Sequence, residues 1–131
     1  MRLNPDCIRD ILIALESITT EINVTYIFHS WEEVPEQIPS LQKYPIEVLS
    51  YHIHQLALNG MLYEADFPRD GFSFKDLTPS AHEFLANIRQ EANWKETKEI
   101  ASKAGSFGLD VLKSIAANIA SAYVKYQLNI P

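Results

Sequence analysis

Residues 44–89 read YPIEVLSYHIHQLALNGMLYEADFPRDGFSFKDLTPSAHEFLANIR, and their patterning decides the fold. In the first 17 residues Ile46, Leu49, Ile53 and Leu56 recur at alternating steps of three and four, so one face of a helix is apolar. Pro45 suits the first turn and Gly60 the end of that helix. MLYEAD then reads as a strand, FPRDG as a turn with its Asp-Gly signal, and FSFKDL alternates apolar and polar residues as a hairpin partner does. Thr78-Pro79 restarts a helix. Helix, hairpin, helix is the order of the recognition half of a winged helix.

The flanking sequence extends the same plan. NPDCIRDILIALESITT places Ile8, Ile11, Leu12 and Leu15 on one stripe. Asn4 is its expected cap, with Pro5 at the first helical position and Asp6 and Asp10 toward the positive end of the helix dipole. INVTYIF, rich in β-branched and aromatic residues, predicts a short strand that pairs with the hairpin. Between Ser30 and Tyr44, Ser30 and Glu33 have capping-box spacing, while Pro35 and Pro39 limit the segment to a loop and one short helix. PSAHEFLANIRQEANWKETKEIASKAG predicts one helix or two, with Phe84, Leu85 and Ile88 inward, a break near Asn93 and a stop at Gly105. A last helix spans about Gly108 to Gln127.

The class expected is therefore α+β and predominantly helical: a winged helix-turn-helix-like domain (helix, strand, short helix, helix, hairpin wing, helix) over residues 1–91, with a helical extension over 92–131. That extension either packs on the domain or forms a dimer. Its seam would be Leu112, Ile115, Ile119, Ala122 and Tyr126, at coiled-coil-like spacing. Lys113, Asn118 and Lys125 interrupt the segment and argue against a membrane span. The N-terminus lacks the basic, apolar and small-residue succession of a signal peptide, and the single Cys7 forms no ligand spacing, so a cytoplasmic protein is expected.

Charge divides unevenly. Residues 1–80 hold five basic and 12 acidic residues, net −7, whereas residues 81–131 hold six basic and five acidic. Duplex DNA is bound chiefly by Lys and Arg neutralising phosphates, so the acidic half disfavours DNA. Opposite its core stripe, the candidate recognition helix presents Glu47, Tyr51, His54, Gln55 and Leu58, with no cation. Gln55 has the chemistry to read an adenine edge and Tyr51 to touch a phosphate or sugar. The same face equally suits burial against a neighbouring helix or a partner subunit. In the wing, Arg69 and Lys75 are the candidate backbone contacts.

No constellation for catalysis emerges. His52 and His54 lie two apart and point about 200° from each other on a helix, which forbids shared chelation. Cys7 sits beside an apolar stripe as a small core residue. The sequence assigns no catalytic residue, metal or cofactor, and a non-enzymatic protein is expected.

Taken together, NPDCIRDIL, YPIEVLSYHIHQL with NGML, DLTPSAHEFLANIR, and the tryptophan followed by GSFGLDVLKSIA resemble the DUF2513 family of bacteria and phages, a family known only as a domain of unknown function. The resemblance implies a winged-helix-like N-terminal part and frequent carriage on prophages and other mobile elements. It supplies no functional residue. Two functions are expected from these readings. One is a DNA-binding transcriptional regulator that acts as a homodimer through its C-terminal helix. The other is an acidic interaction module that binds and modulates a host or phage protein.

Overall fold

Asn4 starts the first helix by turning its side chain back on the chain: its Oδ1 accepts the amides of Asp6 and Cys7 at 3.0 and 3.3 Å. A computed structural model describes residues 1–129. It is α+β and mainly helical, with six α-helices and two small antiparallel sheets, consistent with a winged-helix-like fold carrying a helical extension. The chain divides into two compact units, Met1–His82 and Glu83–Pro131.

In the first unit, α1 (Pro5–Ile18) buries Cys7, Ile8, Ile11, Leu12, Ala14 and Leu15 and packs on α3 (Ile46–Leu58). Between them come β1 (Tyr26–Phe28), α2 (Glu33–Gln37) and a 3-10 turn over Pro39–Leu41. The second arm of the anticipated capping box forms, with Glu33 Oε2 accepting the Ser30 amide at 2.9 Å. Helix α3 buries Leu49, Ile53 and Leu56 as its periodicity requires, whereas Ile46 at its first position is only partly covered.

The wing is one hairpin broken in the middle. β2 (Leu62–Tyr63) pairs with β4 (Asp76–Leu77), and the same register continues to the bridge between Asp66 and Ser73. The interruption falls at Glu64, whose φ of 50° takes the backbone into the left-handed region. On its other edge β3 (Phe72–Phe74) takes β1, in the register Tyr26–Phe74 and Phe28–Phe72. INVTYIF thus pairs with the hairpin, although only its last three residues are strand; Ile22 is exposed and Asn23 has φ 61°.

Gly71 makes that pairing possible. It closes the wing turn at φ +79°, and a Cβ there would lie 2.0 Å from the Phe28 carbonyl oxygen, where only a residue without a side chain fits.

Helix α4 begins at Pro79, at the end of the first unit, and ends at Ile88 in the second, which continues with α5 (Glu91–Ala104) and α6 (Leu109–Gln127). The break expected near Asn93 lies instead at Arg89 and Gln90, where Gln90 is extended and caps α5. The reason is phase. Phe84, Leu85 and Ile88 are buried, but the next buried residues, Trp94, Thr97 and Ala101, would lie about 180–240° around a continuous helix from Ile88. Burying both stripes requires a reset of direction. Gly105 ends α5 at φ 77°. Helix α5 packs along α6, whose Leu109, Leu112 and Ala116 are buried. Among the described residues no helix is long and apolar enough to cross a membrane.

Replacing Gly71 with Ala is expected to destabilise the protein by about 2–4 kcal/mol. The loss would be read as a fall in the urea unfolding midpoint, with β1 amides next to Phe28 losing hydrogen-exchange protection first.

Candidate functional site

Helix α3 divides its polar residues between two roles. His52 is buried. Its Nδ1 lies 2.7 Å from the Val48 carbonyl and its Nε2 accepts the Asn4 amide at 2.8 Å. Donating from Nδ1 and accepting at Nε2 defines the neutral Nδ1-H tautomer. The ring is a strut that joins the start of α1 to the middle of α3. His54 faces the other way, as the spacing requires. Its Nδ1 lies 2.8 Å from the Ser50 carbonyl, and its ring stacks on Phe67 at 4.1 Å.

The outward face carries the five residues anticipated from the helical wheel. Glu47 and Leu58 are exposed, Leu58 to 79%, while Tyr51, His54 and Gln55 are partly covered. No Lys or Arg lies in α3. Two residues that the helical wheel could not supply complete the surface. Trp31, in the turn after β1, lies 5.5 Å from the His54 ring and stacks on Phe72 at 5.3 Å. Phe67, at the wing turn, lies 6.3 Å from Trp31. Phe72 in turn stacks on Phe28 at 5.0 Å. A column of nearly parallel rings, Phe28, Phe72 and Trp31, therefore runs from the core to the surface beside His54 and Phe67. The sequence offered no periodic signal for this, because three separated segments meet in it.

The two candidate wing cations differ. Arg69 is exposed in the turn. Lys75 is engaged, with its Nζ 2.8 Å from Glu64 Oε2. That hydrogen bond lowers the Glu64 pKa and raises that of Lys75, so both stay charged. Elsewhere in the unit Lys43 pairs with Asp10 at 3.1 Å.

The expected α6 seam is split by the structure. Leu112 is core, whereas Ile115, Ile119, Ala122 and Tyr126 line an open groove of about 510 Å³ with Ile100 and Glu96 of α5. Tyr126 is 81% exposed.

Among the described residues no cluster of His, Cys, Asp or Glu could hold a metal ion. Cys7 is fully buried, and desolvation, reinforced by Asp10, pushes its thiol up to about 12. Burial likewise raises Tyr44, aided by its hydrogen bond to Asp10. Neither group is poised as a nucleophile at neutral pH.

With this geometry in view, the chain belongs to the family described as hypothetical protein DUF2513, whose model matches residues 2–107. The match covers the first unit from Arg2 onward and ends before α6. No curated protein and no solved structure matches the chain.

Cys7 is expected to resist alkylation by iodoacetamide in the native protein at pH 8 and to react once urea unfolds it. Because its folded pKa lies above the ordinary value of 9.0, its protonated form is retained longest in the native state. Its contribution to stability is full below pH 9 and is lost as pH rises toward 12. Urea midpoints across that interval should fall, and should fall less in Cys7→Ala.

Proposed function

We propose that this chain is a non-catalytic, winged-helix-like protein-interaction module that binds a basic protein surface through the outward face of α3 and the wing. One observation carries the reading: α3, the candidate recognition helix, presents Glu47, Tyr51, His54, Gln55 and Leu58 without a cation, in a unit of net charge −7. Phosphate contacts supply most non-specific DNA affinity. Here Lys75 and Lys43 are already paired with carboxylates. An uncharged, partly apolar centre rimmed by charge is instead the composition of a protein interface.

A duplex-binding regulator is the second reading. It is supported by Gln55 and Tyr51 on the helix face and by Arg69 exposed on the wing. The two separate in one titration series, with mixed-sequence duplex DNA and an arginine octapeptide each added to isotopically labelled protein at low and physiological salt. The module reading expects saturable shifts of the Tyr51, His54 and Gln55 amides with the peptide and none with the duplex. A footprint on α3 from the duplex, fading steeply with salt, would reverse the assignment.

The proposal includes a homodimer through α6. Its support is the apolar groove beside Ile115 and Ile119 and the exposure of Tyr123, Val124, Tyr126 and Leu128 along the last turns. Ala122→Glu with Tyr126→Ser, both at exposed positions, is expected to yield a folded monomer by sedimentation equilibrium. An unchanged sedimentation mass would remove α6 from the interface.

A further inference from the structure

Rings from separate segments meet at the junction of α3 and the wing. Trp31, His54 and Phe67 come from three segments and all keep part of their surface accessible. The chain itself shows how such rings are used elsewhere: Lys98 sits 5.5 Å over Trp94, and Lys43 sits 5.5 Å over Tyr44. Trp31 and Phe67 carry no such cation among the described residues. Carboxylates flank them in the chain, Glu32 directly after Trp31 and Asp66 directly before Phe67. Both are exposed, as are Glu47 on α3 and Asp70 in the wing turn. Arg69 offsets one of the two wing carboxylates, so the surroundings remain net acidic.

Aromatic faces within a negative field attract a cation, and a planar guanidinium suits them best. It stacks on a ring while its edge donors reach carboxylates, and it gives up its water more readily than an ammonium. We infer that the partly exposed ring cluster of Trp31, His54 and Phe67, called the notch below, receives an arginine side chain of the basic partner protein. This rests on the protein-interaction reading and names the chemistry it recognises. Phe72, buried and stacked behind Trp31, fixes the indole plane before binding, so ordering that side chain adds little to the cost of association.

The test follows the indole N–H resonance of Trp31 in the full-length protein, with the Trp94 indole, buried in α5, as internal control. An arginine octapeptide should shift Trp31 saturably and leave Trp94 unmoved. A lysine octapeptide, and the variants Phe67→Leu and Asp66→Asn, should each weaken the response by about fivefold. Asp66→Asn alters no ring and keeps the backbone bridge to Ser73, so it serves as the charge probe if Phe67→Leu perturbs the fold. If the α3 amides shift while Trp31 stays still, or if the lysine peptide acts equally, the notch assignment is overturned and the interaction module stands. If neither α3 nor Trp31 responds, the interaction reading falls and takes the notch with it.

Discussion

A hydrogen atom at Gly71 sets the architecture of the first unit. The carbonyl of Phe28 occupies the position that any side chain at residue 71 would need, and this approach lets β1 close onto β3. With that ladder in place, Phe28 and Phe72 stack, and the turn after β1 is held where Trp31 covers the outer end of the column. The wing is thereby tied along one edge to the body of the unit, a restraint that two-stranded hairpins of this length lack in water.

A second tie runs through His52. By accepting the Asn4 amide and bonding to Val48, it joins the cap of α1 to the interior of α3. The polar atoms of a buried ring are all used, which is what burial of such a group requires. Two anchors, one on the wing and one on the helix, hold the outward face of α3 and the wing turn in fixed register. A surface made of parts from distant segments presents a constant shape only if each part is restrained in this way.

Electrostatics then decides what such a surface suits. The element order is consistent with a winged-helix-like fold, but the first unit is net negative, and an ion pair consumes one of the two wing cations. Fold and function are separable for this reason. The second unit adds an apolar groove and an exposed helix end, and among the described residues no cluster of His, Cys, Asp or Glu could hold a metal ion.

Periodicity in the sequence determined the helices, the hairpin, the Asn4 cap, the stop at Gly105 and the opposite pointing of His52 and His54, since each is a local property of a repeating backbone. It also distinguished the outward residues of α3 from the buried ones, with Ile46 the partial exception. Tertiary structure decided the rest. Whether a polar residue on a helix is a strut or a surface group depends on what lies 48 residues away, as with His52 and Asn4. Trp31 and Phe67 joined the candidate site through ring stacking between segments that share no local pattern. Leu112 and Tyr126 belong to one heptad stripe, yet one is core and the other exposed, because α5 covers only part of α6. Local sequence fixes which way a side chain points along its own element; only the packed chain fixes what it meets there.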